Sequence, residues 1–118
     1  MDEGPVTVVE TARFIRQAEG IFSDDERFEL IEHLAWNPEA GVVVPGTGGV
    51  RKIRWGIGGR GKSGGARVIY YYHNQTVPLF LLGVFAKNVK VDLTPDEKNQ
   101  LRRQLPVLVQ TYGGRTTQ

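Results

Sequence analysis

The sequence contains no cysteine and only two histidines, His33 and His73. Without cysteine the chain can form neither a disulfide framework nor a thiolate nucleophile. Neither histidine has a second imidazole at the spacing of metal ligands, so the sequence disfavours a zinc site and a histidine-based acid–base site. We therefore expect chemistry that uses no metal and no cofactor.

The chain also lacks a long apolar run and the pattern of a secretory leader. Its most apolar stretch, residues 78–82, is far too short to span a bilayer. The first five residues, MDEGP, carry acid where a signal peptide carries base. These features predict a single cytoplasmic domain over residues 1–118, with residues 113–118 as a loose tail and no membrane partner.

Acidic residues are absent from the segment 51–90, which carries eight lysines and arginines. Residues 1–50 hold three basic against ten acidic residues, a net charge of −7, and the remainder holds twelve against three, a net charge of +9. A positive surface of this kind attracts polyanions such as nucleic acids. The other interpretation is a solvated basic face with no partner.

Capping signals and periodicity predict an α+β domain. Thr11 caps a short helix, Ser23 begins a longer one, and Thr94 begins a terminal helix that Pro106 should kink or end. Alternating or β-branched runs predict strands over residues 6–9, 50–57, 67–72 and 77–86. The order of these elements indicates two early helices, a small antiparallel sheet and one late helix.

One motif points to a function that its surroundings exclude. Residues 56–63, GIGGRGKS, match the phosphate-binding pattern G-x-x-x-x-G-K-[ST]. That pattern binds phosphate only where a strand leads into the loop and a helix leaves it. Here two further glycines and the strand-forming run ARVIYY follow, so the loop joins two strands. We interpret it as a basic, glycine-rich hairpin loop whose Arg60 and Lys62 are candidates for binding RNA.

Strand periodicity gathers the basic side chains on one face of the sheet. Lys52 and Arg54 alternate with apolar neighbours, Arg67 begins the next strand, and Lys87 ends the strand after that. Tyr71 shares the face of Arg67 and could stack on a base, although packing in the core is the other interpretation.

These residues lie within segments that resemble a known family. The segments are PGTGGVRKIR at residues 45–54, GKSGGARVIYY at 61–71, AKN at 86–88 and LT at 93–94. Together they resemble the HigB-like branch of the RelE/ParE toxin superfamily, over residues 6–105. The resemblance implies the RelE-type microbial RNase fold, with helices on one face of an antiparallel sheet and active groups on the other. It also implies a toxin of a type II toxin–antitoxin system that cuts mRNA on the ribosome.

The resemblance implies partners and roles for single residues. Its antitoxin would be a HigA-like helix-turn-helix protein, and the toxin would reach operator DNA only through the antitoxin complex. Lys52 and Arg54 match basic positions beside the scissile phosphate, and Arg67 matches the arginine that stabilises the transition state. Lys87 and Lys90 match a region that supplies further basic groups.

The sequence departs from the family pattern at two positions. Lys90 stands where an arginine is common, and Thr94 stands near a functional tyrosine, so no residue is assigned as general acid. The remaining basic and aromatic candidates are expected to bind RNA rather than to react, namely Arg51, Arg60, Lys62 and Tyr71.

The chemistry of RNA cleavage suits such a cluster, because RNA supplies its own nucleophile, the 2′-hydroxyl. The protein must align that group, accept its proton and neutralise the phosphate oxygens. Arg54 and Arg67 are suited to bind the phosphate bidentately, and Lys52 is the candidate base because neighbouring positive charges disfavour its protonated form. Two other functions remain open: a non-catalytic gyrase inhibitor of the ParE type, and a basic nucleic-acid-binding module without activity.

Overall fold

The computed structural model describes residues 4–56, 65–90 and 92–113. The described part contains three helices and five strands, and the predicted α+β class is confirmed. In chain order the elements are β1 (Val8–Glu10), α1 (Ala12–Glu19), α2 (Asp24–Trp36), β2 (Val42–Val43), β3 (Arg51–Trp55), β4 (Ala66–Tyr71), β5 (Leu79–Ala86) and α3 (Pro95–Gly113).

The strands form one sheet in the order β1-β5-β4-β3-β2. Neighbouring strands are antiparallel except β1, which runs parallel to β5 with Val8 opposite Leu79. The sheet is therefore mixed, where the sequence predicted a purely antiparallel one. Parallel neighbours require a long crossover, and the chain between β1 and β5 supplies it with two helices and three strands.

The predicted helix starts are confirmed by their hydrogen bonds. Thr11 caps α1 by accepting a hydrogen bond from the backbone N–H of Phe14. Ser23 and Glu26 form a reciprocal capping box at the start of α2. Thr94 and Glu97 form the same reciprocal pair before α3, where the backbone N–H of each donates to the side chain of the other. Local side chains thus satisfy amides that a helix start leaves unpaired.

The terminal helix continues past Pro106. Pro106 lies inside α3, which continues to Gly113, so of the two predicted effects of the proline, a kink or an end of the helix, the end is wrong. Leu105 directly before the proline is buried against the sheet, and Leu108 after it packs against the same core cluster, which holds the helix across the missing amide. Gly113, expected in the tail, is the last residue of α3, and residues 114–118 lie outside the described part.

The sheet is covered on both faces. Alternate residues of β4, including Val68 and Tyr70, pack beneath α1 and α2. The residue between them, Ile69, packs with Phe80 beneath α3. The family resemblance implies that the sheet face with the basic side chains carries no helix. That expectation is wrong, because α3 packs on this face. In residues 4–56, 65–90 and 92–113 no helix is long and apolar enough to cross a lipid bilayer.

Candidate active site

The centre of the site is a pair of arginines on neighbouring strands. Arg54 of β3 lies directly opposite Arg67 of β4 in the antiparallel register. Residues opposite each other in such a pair project from the same face, with Cβ atoms about 5 Å apart. Like charges at that separation repel and are destabilising. An anion between the two guanidinium groups would convert this repulsion into attraction.

Arg67 is partly buried, and its surroundings favour a bound anion. Its Nη1 atom is buried, and in the described part of the chain it has no hydrogen-bond partner. A buried charged donor without an acceptor is unfavourable, so such groups are normally paired. The opposite neighbour of Arg67 on β5 is Phe85, which offers no acceptor. The guanidinium is therefore positioned to receive an acceptor from outside the protein.

Lys52 precedes Arg54 by two residues and shares its face of β3. Its Nζ donates a hydrogen bond to Oδ1 of Asp92 at 3.3 Å. The backbone N–H of Leu93 is the main cause that lowers the pKa of Asp92, and the hydrogen bond from Lys52 adds to it. Asp92 is thus an ionised carboxylate, and Lys52 donates to it as an ammonium group.

Lys90 is also paired with a carboxylate. Its Nζ lies 5.4 Å from the centre of the Phe85 ring and forms an ion pair with Glu97. Partial burial acts to raise the pKa of Glu97, but hydrogen bonds from Lys90 and Thr94 outweigh it and lower the pKa. Arg13 of α1 approaches the same carboxylate at 3.8 Å. Phe85 connects this ion pair to the site, because it lies opposite Arg67 in the sheet.

Lys87 is placed at the same end of the sheet by its backbone. It follows the last residue of β5 and is exposed, and its N–H donates to the carbonyl of Gly65 at 3.2 Å. Gly65 directly precedes β4, so Lys87 lies near the start of the strand that carries Arg67.

Two candidates for RNA binding lie elsewhere. Arg51 projects from the opposite face of β3 to Lys52, and its guanidinium donates to the carbonyls of Glu39 and Gly41. Tyr71 is buried in the core beneath α3, and burial raises the pKa of its phenol, whose oxygen lies 3.0 Å from Nδ1 of His73. We leave both out of the site. Arg60 and Lys62 lie outside the described residues.

The structure adds two carboxylates that the sequence reasoning missed. Asp92 and Glu97 pair with Lys52 and Lys90, respectively. A signal for them exists in the sequence, because only three acidic residues follow residue 50 and all lie between residues 92 and 97. In a strongly basic half of a chain, a short acidic segment is well placed to pair with the basic cluster.

These ion pairs predict how stability responds to acid. Because the folded-state pKa values of Asp92 and Glu97 are lowered, their stabilisation is present above the unfolded values of about 4 and is lost as pH falls through the folded ones. Asp92→Asn with Glu97→Gln should lower stability at pH 7 by about 1 kcal/mol, since both pairs are partly exposed. The difference from the unaltered protein should vanish near pH 2 in thermal unfolding scans. A difference that persists undiminished at pH 2 would contradict this origin.

The sequence matches the model of a known protein family. A family model described as the RelE toxin of the RelE / RelB toxin-antitoxin system matches residues 8–112. The match extends from β1 into the last turn of α3, and it includes every residue of the basic cluster and both carboxylates.

Proposed function

The chain belongs to the RelE toxin family, and from that premise we propose that it is a HigB-branch endoribonuclease that cuts mRNA on the ribosome. The observation that carries the proposal is the opposed pair Arg54 and Arg67, with the buried, unpartnered Nη1 of Arg67. A toxin of a toxin–antitoxin system needs an intracellular target, and a site for phosphate in a basic sheet face favours RNA over a protein target.

The proposed reaction is attack by the ribose 2′-oxygen on the adjacent phosphorus. The O2′–P bond forms and the P–O5′ bond breaks. The 2′ proton passes to the protein and the leaving 5′-oxygen takes a proton from water, which leaves a 2′,3′-cyclic phosphate and a 5′-hydroxyl. Arg54 and Arg67 bind the two non-bridging oxygens, where negative charge increases in the transition state. No step requires a metal ion, because the nucleophile belongs to the RNA.

Lys52 is the proposed acceptor of the 2′-hydroxyl proton, and its ion pair with Asp92 sets a condition on that role. While Nζ donates to the carboxylate as an ammonium group, it has no lone pair with which to accept a proton. Asp92 is half-exposed, so RNA entering the site can displace it. We propose that substrate binding separates the pair and so frees Nζ of Lys52 for the 2′-hydroxyl.

The proposal extends to the partners of the toxin. We propose a HigA-like helix-turn-helix antitoxin, contact with operator DNA only through the antitoxin complex, and a cytoplasmic site of action, where ribosomes translate mRNA. Lys87 and Lys90 are proposed to contact RNA beside the scissile phosphate, Lys90 after release from Glu97.

The test is a map of RNA 5′ ends after brief induction of the toxin in growing cells. We expect new ends within translated regions, at a fixed position relative to the codon, because the ribosome presents mRNA in frame. A variant with both Arg54→Ala and Arg67→Ala, expressed at the same level, is the control. Cuts without codon phase would contradict ribosome dependence. DNA breaks without new RNA ends would instead show gyrase poisoning, and the absence of both would leave a binding module.

A further inference from the structure

A second surface of the molecule, beside the strand that carries Arg54, is apolar and exposed. In the described part of the chain seven large apolar side chains are exposed, and four of them lie between residues 28 and 43. Phe28 and Trp36 of α2 are 68% and 58% exposed, and Val42 and Val43 form the edge strand β2. Exposed apolar residues gathered on adjacent elements are typical of a protein-binding surface.

A groove separates these two elements. It has a volume of about 780 Å³ and is lined on one side by Glu29 and His33 of α2 and on the other by Val42. Trp55 lines it as well, with its ring 5.1 Å from that of His33. An open channel of this shape between a helix and a strand can hold an extended peptide.

The floor of the groove includes part of a sheet edge. The two residues of β2 pair only with Arg51 and Lys52 of β3. In the part of the chain that the structure describes, no strand pairs with residues 53–55 on that side. An unpaired edge offers backbone N–H and C=O groups to an incoming strand. A peptide in the groove can therefore gain backbone hydrogen bonds as well as apolar contacts.

The charge of this surface selects the kind of partner. The exposed residues of α2 include Asp24, Asp25, Glu29 and Glu32, whereas its single arginine, Arg27, forms an ion pair with Glu10. These acidic residues of α2 repel RNA and attract a basic chain, although Lys52 and Arg54 also line the groove. The exposed aromatic side chains of α2, Phe28 and Trp36, are anchors of the kind that dominate protein interfaces.

We propose that the α2–β2 face, defined by the exposed Phe28 and Trp36 of α2 and the groove that Glu29, His33 and Val42 line, binds the antitoxin through a basic segment with apolar anchor residues. The partner follows from membership of a toxin–antitoxin family, whereas the surface follows from exposure, charge and the unpaired edge. The groove is also lined by Lys52 and Arg54, so its occupant lies along the strand that carries the site.

The experiment compares two altered toxins with two matched controls. The first has Phe28→Ala with Trp36→Ala and the second has Glu29→Lys with Glu32→Lys. Val107→Ala is the control for an exposed apolar residue and Glu19→Lys for an exposed acid, each on another helix. The binding probe is the purified product of the reading frame adjacent to the toxin gene, titrated calorimetrically.

Both altered toxins should bind the probe at least tenfold more weakly, because the first loses two anchors and the second reverses the charge. The controls should stay within about twofold of the unaltered toxin. All four should unfold at similar temperatures and keep their toxicity in cells that lack the antitoxin, and the two altered toxins should escape neutralisation. If the unaltered toxin cuts no mRNA but these binding losses appear, the docking surface stands and the proposed nuclease activity falls.

Three results would overturn the proposal. Unchanged affinity of both altered toxins would show that the antitoxin binds elsewhere. A change from dimer to monomer in the altered toxins, measured by sedimentation without antitoxin, would assign the face to a second copy of the chain. Loss of mRNA cleavage with antitoxin affinity intact would assign it to the ribosome.

Discussion

Replacement of Arg67 by alanine should reduce the rate of mRNA cleavage by about 10²- to 10³-fold, the usual cost of removing one preorganised charge donor from a transition state. The expectation follows from the buried Nη1 that lacks an acceptor and from the opposed Arg54. The folded protein gains little from this guanidinium, because it makes no internal hydrogen bond in the described part and repels its neighbour. Stability should therefore change by no more than about 1 kcal/mol.

The measurement is single-turnover cleavage of a short mRNA on purified ribosomes, together with the thermal unfolding midpoint of each variant. Arg67→Lys should recover only part of the activity, because an ammonium group keeps the charge but cannot bind two phosphate oxygens in a fork. Arg103→Ala is the matched control: this arginine is exposed on α3, and its loss should leave the rate unchanged.

Two results would contradict this assignment. Equal cleavage by the unaltered toxin and Arg67→Ala, at equal soluble concentration, would show that the arginine does not stabilise the transition state. A loss of cleavage accompanied by a comparable loss of stability would show that the side chain supports the fold instead.

The arginine pair could be predicted from the sequence because it depends on local rules. A strand places alternate residues on one face, and a glycine-rich loop between two strands predicts a hairpin. Those two facts bring Arg54 and Arg67 to the same face of adjacent strands, as the structure shows. Helix starts were equally accessible, because a cap and its partner lie three residues apart.

Contacts between distant parts of the chain could not be predicted in this way. The parallel pairing of β1 with β5 depends on the packing of the whole domain rather than on any local pattern. The strand β2 has only two residues and therefore no measurable alternation. The position of α3 over the basic face likewise arises from its apolar residues, including Leu101 and Leu105, meeting a sheet that is apolar on both sides.

The ion pairs illustrate the same limit within the candidate site. Lys52 and Asp92 are forty residues apart, and only the fold places their side chains 3.3 Å from each other. Sequence reasoning assigned Lys52 as the base from its positive neighbours alone. In the proposed mechanism the carboxylate adds a step, because Asp92 must be displaced before the lysine can accept a proton.

Replacement of Gly65 by alanine should destabilise the protein and inactivate it together. A Cβ at this position would lie 2.3 Å from the carbonyl oxygen of Trp55 and 3.2 Å from the Cα of Gly56. Both contacts are with backbone, which cannot rotate away as a side chain can. We expect a loss of about 3 kcal/mol, at the upper end of the usual cost of overpacking, and a fall in the unfolding midpoint of roughly 10 °C.

The matched control is Gly20→Ala, because a Cβ there meets nothing within 4 Å and the residue has φ −91°. That variant should unfold within a few degrees of the unaltered protein and retain its activity. Thermal scans and the cleavage assay on both variants measure the two effects separately.

The two glycines differ in what lies beside them. Gly65 directly precedes β4 and lies against the last residue of β3, Trp55. Its carbonyl accepts a hydrogen bond from the N–H of Lys87, which follows the end of β5. Gly65, two residues before Arg67, therefore lies where the ends of three strands come together. A Cβ at Gly65 would push the backbones of β3 and β4 apart, which should separate Arg67 from Arg54. Cleavage by Gly65→Ala should fall at least tenfold even at a temperature where the variant is fully folded, because catalysis is sensitive to displacements of about 1 Å. Full activity at that temperature would mean that the arginine pair tolerates such a displacement. The distance between the two guanidinium groups would then be set by their mutual repulsion rather than by the backbone.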